Sequence, residues 1–412
     1  MVDHFFVEPR ALKRLRTGPL GVHIDGFAQR LWEHGYANQS GKIRLRLIGE
    51  LSRWLLRRGF ETNDLNEQIV SKFLQYKKKY GRVHSGYASC LQAFLLYLRD
   101  SGLIAPTASE TLKNQFCPIQ ESFENYLLKE RGLSQATLLN YVGFVKSLLL
   151  ERFGAKPTKL QALNVRDVTG FICRHAKTQS LGRAKLMVTA LRSFLRFLRL
   201  RGEIDTDLAG AVPSVAGWRL STLPKFMKSE EVERMLRHCD QTTSTGQRDF
   251  AILLLLARLG LRAGEVVAMT LEDIHWDTGE LTVHGKGGRL ELLPVPEDVG
   301  EALAKYLQHV RPPCSSRRVF LRMTAPRRGF ASSVAVCTIV RRALERADLH
   351  PAHKGAHLLR HSLATFMLSK GASLAEIGEV LRHQTTTSTE IYTKVDVKAL
   401  RNLAQPWLGG EV

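Results

Sequence analysis

The 412-residue sequence lacks the marks of several protein classes. Its six cysteines, at 90, 117, 173, 239, 314 and 337, stand far apart and form no CxxC pair. That spacing argues against zinc and against a disulfide framework, and it fits a reducing compartment. The apolar run AILLLLA at 251–257 falls far short of the ~20 residues that span a bilayer. The opening residues, MVDHFFVEPRALKRLR, hold no short apolar core with a cleavage site. No GxxxxGK(S/T) loop occurs, so nucleotide-driven chemistry has no phosphate cradle. Negative charge is also scarce: 39 Asp+Glu against 60 Lys+Arg leave a formal +21 and a pI near 10.0. What remains is a cytoplasmic protein with no membrane partner, no metal and no cofactor. Its excess of cations suits a polyanion, because neutralising phosphates releases condensed counterions.

The length allows two or three domains. Ser89 to Ile104 (SCLQAFLLYLRDSGLI) and Thr189 to Ile204 (TALRSFLRFLRLRGEI) match at a constant offset through Leu91 and Leu191, Phe94 and Phe194, and Gly102 and Gly202. Upstream, Gly35 precedes a helical segment ending near Gly59, and Gly132 precedes one ending near Gly154. Two small helical blocks of one design are expected, with glycines stopping helices where positive φ is needed. Residues 205–225 hold two prolines and two glycines with little periodicity and read as a linker. Ser229, followed by Glu230 and Glu231, is expected to cap the first helix of a third domain. The divisions are therefore an N-terminal helical domain at 1–110, a second helical domain at 111–210, a linker at 211–224, and a third domain with a C-terminal tail at 225–412. The fold class is mainly α, with a small β-sheet making the third domain α+β.

The helix after Ser180 carries an apolar stripe of Ala184, Val188, Leu191, Leu195 and Leu198. Lys185, Arg192, Arg196 and Arg199 run beside it at helical spacing and are candidate phosphate contacts along a DNA groove. A solvated basic face is the plainer alternative.

The last third of the chain holds six residues whose chemistry belongs together: Arg262, Lys286, His357, Arg360, His383 and Tyr392. Paired guanidinium groups offer forked, permanently charged donors to a phosphodiester. A tyrosine can attack phosphorus and keep it as a covalent ester. Lysine and histidine can move the protons that attack and departure require. Each has a plain reading alone: an Arg262–Glu265 ion pair, a solvated turn lysine, a tyrosine packed by its ring. Arg262 follows the glycine stop of a buried apolar helix at 250–259, and Lys286 sits at the tip of a β-hairpin over 280–296, with Gly287-Gly288 in its turn. His357 and Arg360, three apart on a helix, share a face, whereas His361 is expected to point elsewhere. Thr387 and Glu390 fit a capping box that starts the helix bearing Tyr392.

In these boxes the sequence resembles the tyrosine recombinases, or phage integrase family. They are GLRxxE at 260–265, GKG at 285–287, HLLRHSLAT at 357–365 and LRHQ…STEIYT at 381–393. The resemblance is specific over about 225–400 and looser over about 115–204, which looks like the family's core-binding domain. It implies that Arg262 and Arg360 clamp the scissile phosphate and that Lys286 is the acid for the leaving 5′ hydroxyl. It further implies that His357 is base or proton-transfer partner, that His383 hydrogen-bonds the phosphate, and that Tyr392 forms a 3′-phosphotyrosyl bond. The implied partner is double-stranded DNA with paired recognition sites. The implied assembly is a homo-tetramer, possibly with related recombinases, exchanging strands through a Holliday junction for a mobile element. When bound to DNA, such a protein would be nucleoid-associated. A type IB topoisomerase and a non-catalytic DNA-binding partner of the same fold are the rival readings. Arg382 departs from the pattern, standing where a glycine often precedes the second histidine. The tail, with Val395, Val397, Leu400 and Leu403, would dock either on its own domain or on a neighbouring subunit.

Overall fold

The computed structural model describes residues 2–80, 84, 86–104, 117–154, 159–216, 224–285, 288–383 and 385–395. Among the described residues the chain is mainly helical, with one three-stranded antiparallel sheet. Contacts group it into two compact units: residues 1–62 with 71–97 and 222–412, and residues 63–70 with 98–221. Among the described residues no helix is long and apolar enough to cross a membrane.

The paired sequence blocks have paired backbones. Helices Asn38–Arg58 and Gln135–Phe153 both end on glycines with positive φ, Gly59 at 70° and Gly154 at 58°. Helices Gly86–Asp100 and Leu181–Leu200 are each followed by another, Gly102 at 69° and Gly202 at 70°. A Cβ at any of these four would meet nothing within 4 Å, so it is the left-handed turn, not crowding, that requires glycine. The turns close alike: Gly102 N–H donates to Arg99 O and Leu103 N–H to Leu98 O, as Gly202 does to Arg199 and Glu203 to Leu198. In the second unit the Leu181–Leu200 helix packs on the Gln135–Phe153 and Val165–Ala176 helices. Its expected stripe, Ala184, Val188, Leu191, Leu195 and Leu198, is buried, and Phe194 meets Phe123 edge to face at 5.1 Å.

In the first unit the helix Ser244–Arg258 runs through the core, and Ala251 to Leu256 is buried on every side. Against it pack helices Glu297–Lys305, Val334–Arg346 and Ala356–Ser369. The strands are β1 (Ile274–His275), β2 (Glu280–His284) and β3 (Leu290–Pro294), paired in the order β1-β2-β3. Gly285 N–H donates to Arg289 O at 2.8 Å to close the loop between β2 and β3, and Gly288 has φ of 77°.

Two expected helix starts are displaced. Lys228, not Ser229, is the cap of the Ser229–Arg237 helix: the Glu231 carboxylate, three residues on, accepts the Lys228 N–H at 2.8 Å. The helix Thr386–Thr389 begins before Thr387, because Thr385, first of three consecutive threonines, closes the turn with Ser388. Tyr392 then lies in a 3-10 turn, Glu390–Val395, rather than in a continuing helix.

Candidate active site

Arg262 is fixed by where its helix starts. The core helix ends at Arg258, Gly260 turns at φ 57°, and Arg262 caps the helix Ala263–Ala268. A Cβ on Gly260 would come within 2.7 Å of Leu381 and 3.1 Å of Leu363, so the close approach of these segments also demands glycine. Glu265 holds Arg262 twice, accepting its backbone N–H at 2.8 Å and its guanidinium at 2.6 Å. The expected Arg262–Glu265 pair thus exists, and it is aimed: a second guanidinium nitrogen donates to the Arg382 carbonyl at 3.2 Å.

Arg360 reaches the same turn from the Ala356–Ser369 helix. Its side chain is buried, donating to the Gly260 carbonyl at 2.6 Å and to the Leu381 carbonyl. Burial, then the charges of Arg262 and Arg382, push its pKa down to about 10, which leaves it cationic at neutral pH. Arg382 makes a third cation. It takes φ of 55°, the left-handed region that a glycine would occupy without strain, so the turn makes a glycine's backbone demand although the side chain is an arginine's. Its guanidinium lies inward, donating to Glu265 at 3.1 Å and to Val380 O at 3.1 Å, and it sits 3.5 Å from Glu291 on β3. The Arg382–Glu291 contact is one of charge only, since neither facing atom finds a hydrogen bond. Two guanidiniums therefore share the Glu265 carboxylate and a third, Arg360, lies within their electrostatic reach, an arrangement whose mutual repulsion an arriving anion would relieve.

The tyrosine side is held differently. Tyr392 is 1% exposed, and its hydroxyl lies 2.8 Å from His361 Nδ1. Burial pushes the phenol up to about 12, opposed by Arg360. The His383 ring lies parallel to Tyr392 at 6.4 Å, and its Nδ1 contacts Thr389 Oγ1 at 2.7 Å. Burial, followed by Arg360, Arg262, His361 and Arg382, pushes His383 down to about 4. His357 is lowered by burial, then by Arg360 and Arg262. All three imidazoles are neutral at neutral pH.

Five of the six expected residues thus gather around the 381–383 turn. Lys286 lies outside the described residues, as do the tail positions Val397, Leu400 and Leu403. His361 corrects the reading that sent it elsewhere. It follows His357 by four, and their rings stand 6.4 Å apart, so the helical spacing that joined His357 to Arg360 also joins His357 to His361. On the basic helix Lys185, Arg196 and Arg199 are exposed, Arg199 pairs with Asp207 at 3.1 Å, and the half-buried Arg192 donates to Val212 O and Ser214 Oγ. Among the described residues no group of three or more His, Cys, Asp or Glu side chains is placed to hold a metal ion.

Known proteins show the same two regions. The phage integrase family matches residues 225–399, and the phage integrase N-terminal SAM-like domain matches 121–202. The chain is 43% identical over 401 residues to y4rA of Sinorhizobium fredii, named as a candidate integrase/recombinase, covering 97% of each chain. It is 31% identical to the tyrosine recombinase XerA of Pyrococcus furiosus over 73% of this chain and 99% of that one. In structure it resembles the XerH site-specific recombinase bound to its palindromic difH substrate, with a TM-score of 0.53 and 20% identity over 70% of this chain and 84% of that one. It also resembles a lambda integrase dimer bound to a core site, with a TM-score of 0.51 and 20% identity over 72% of this chain and 98% of that one.

Proposed function

Because the chain belongs to the phage integrase family of tyrosine recombinases, enzymes that cleave and rejoin DNA, we propose that it is a site-specific recombinase acting through a 3′-phosphotyrosyl bond on Tyr392. The observation that carries this reading is the meeting at one turn of Arg262, Arg360 and the Tyr392 phenol, drawn from three separate stretches of chain. Arg262 and Arg360 would hold the two non-bridging oxygens of the scissile phosphate. In that pose they neutralise charge that grows on those oxygens as the phosphorus becomes five-coordinate. Lys286 would protonate the leaving 5′ oxygen, His383 would hydrogen-bond the phosphate, and His357, neutral in the resting site, would be a proton-transfer partner. Arg382 would buttress Arg262 through Glu265 rather than contact phosphate.

Each cleavage trades one phosphodiester for another of similar energy, so religation needs no nucleotide. We further propose that four copies act on two duplexes with paired sites, exchanging strands in pairs through a Holliday junction, and that the DNA is that of a mobile element. Lys185, Arg192, Arg196 and Arg199 on the Leu181–Leu200 helix are the proposed backbone contacts of the second helical block; Arg192 would have to leave Val212, and Arg199 Asp207, to meet phosphate. The test uses a nicked suicide substrate cut from the element's ends. The intact protein should accumulate a covalent adduct, and Tyr392→Phe should bind the same DNA yet form none. Undiminished adduct from that variant would refute the assignment. Relaxation of a supercoiled plasmid lacking any recognition site would instead favour a topoisomerase.

A further inference from the structure

The proposed function does not fix which group receives the proton of the Tyr392 hydroxyl. Among the described residues, its hydrogen-bond partner is His361, with Nδ1 at 2.8 Å. The other described imidazoles make no hydrogen bond with that hydroxyl: His383 Nδ1 is engaged by Thr389 Oγ1, and the His357 ring stands 6.4 Å from that of His361. His361 is lowered by burial, then by His357, Arg360 and His353, while burial raises the phenol. Both effects keep the phenol and the imidazole neutral; in the tautomer with its hydrogen on Nε2, Nδ1 accepts from the Tyr392 hydroxyl.

We propose that His361 is a catalytic base that receives the phenolic proton as Tyr392 attacks the scissile phosphate. This rests on the assignment of Tyr392 as nucleophile. In the step, the Tyr392 Oη–P bond forms and the P–O5′ bond breaks. The phenolic proton passes to His361 Nδ1, giving an imidazolium, and O5′ takes one proton from the leaving-group acid proposed above, Lys286. Religation reverses each transfer, and His361 returns its proton to the departing phenol.

Proton transfer ahead of attack runs strongly uphill, because the acid is weak and the base is made weaker by its surroundings. The transfer is instead drawn along as the oxygen gives its electrons to phosphorus. DNA binding also helps. Arg360 is among the charges that depress His361, and a phosphate seated on Arg262 and Arg360 offsets that repulsion. The base would therefore strengthen only once the scissile phosphate is in place, which guards the phenol in the free protein. The titratable and charged groups facing His361 are His357 and Arg360 on its own helix, His353 before it, His383 on the 381–383 turn, and Tyr392 itself.

The test compares the full-length protein with His361→Asn, His361→Ala and Lys286→Ala in single-turnover cleavage. Two suicide substrates are used, one ordinary and one with sulfur replacing the bridging 5′ oxygen, a leaving group that needs no acid. Asparagine keeps a hydrogen-bond acceptor near the Nδ1 position but cannot take a proton. Both His361 variants should bind DNA normally and cleave each substrate ~10²- to 10³-fold more slowly, within the span of general-base effects. Their rates should climb with pH toward that of the unaltered protein as phenolate forms, and only Lys286→Ala should be rescued by sulfur. Cleavage by His361→Asn within about threefold of the unaltered protein would overturn the proposal, as would rescue of His361→Ala by sulfur. Failure of the unaltered protein to form any adduct through Tyr392 would instead defeat the underlying assignment.

Discussion

The arginine side and the tyrosine side of the site are built to different standards. Arg262, Arg360 and Arg382 are each tied to backbone carbonyls or buried carboxylates by two or more contacts, and those partners lie on helix ends and on β3. Tyr392 lies on a short 3-10 turn with its ring buried in an apolar cluster with Ala364, Ile377 and Leu381. Its hydroxyl has one polar tie, to an imidazole, and the His383 ring has one, to a threonine. The difference suits the division of labour. A phosphate clamp gains from rigidity, since electrostatic stabilisation costs least when the donors need not move. A nucleophilic oxygen that must enter and leave a covalent bond gains from having a single polar tie on a packed ring. Damage to the arginine side should therefore cost both stability and cleavage, whereas removing only the Tyr392 hydroxyl should cost cleavage with little change in stability.

Arg360→Ala is the strongest way to break that contrast. It should lower single-turnover cleavage by ~10²- to 10³-fold, the scale of losing one preorganised donor to a developing anion. It should also lower unfolding stability in urea by about 1–3 kcal/mol, because the buried Gly260 and Leu381 carbonyls lose their partner. Loss of cleavage with unchanged stability would mean that Arg360 is held no more firmly than the Tyr392 hydroxyl.

Arg382 offers a finer probe. Arg382→Ala removes the contact to Glu265 while keeping a Cβ at φ 55°, and Arg382→Gly removes the same contact but relieves the backbone. Both should be less stable than the natural protein, since Glu265 loses a buried cation. The glycine variant should exceed the alanine variant by about 1 kcal/mol in urea unfolding. Equal stabilities would show that the left-handed turn carries no strain.

A further effect is on acid stability. His357, His361 and His383 all have lowered values in the folded chain, so between about 4, the His383 value, and the ordinary 6.5 the unfolded chain binds more protons. Stability should be fully present above 6.5 and decline as pH falls through that window. Because the arginines do not titrate there, His383→Asn should flatten the decline, as followed by urea midpoints from pH 4 to 7. An unchanged slope would place the acid-sensitive groups elsewhere.

Much of this was legible in the sequence, for reasons that local chemistry supplies. Glycine stops at 59, 102, 154 and 202 announce left-handed turns, and an apolar run such as 251–257 announces a helix buried on all sides. Arg262 was legible because Glu265 sits three residues away on the same chain, so the pairing is local. What was not legible was the particular bonding partner of a side chain a hundred residues or more away. No local signal says that Arg382 would turn inward to Glu265, or that Arg360 would bond Gly260. His361 failed for another reason. A residue four along from His357 shares its face as well as one three along, and only the arrival of Tyr392, 31 residues later, distinguishes them.

The central claim is that this site delivers the Tyr392 oxygen to phosphorus, and peptide mapping of the trapped adduct tests it most directly. Trypsin cutting after Arg382 and Lys394 releases residues 383–394, which contain a single tyrosine. Mass spectrometry of the digested covalent complex should find the nucleotide remnant on that peptide, with fragment ions placing it on Tyr392. A remnant on any other peptide, or on a serine or threonine of this one, would contradict the account.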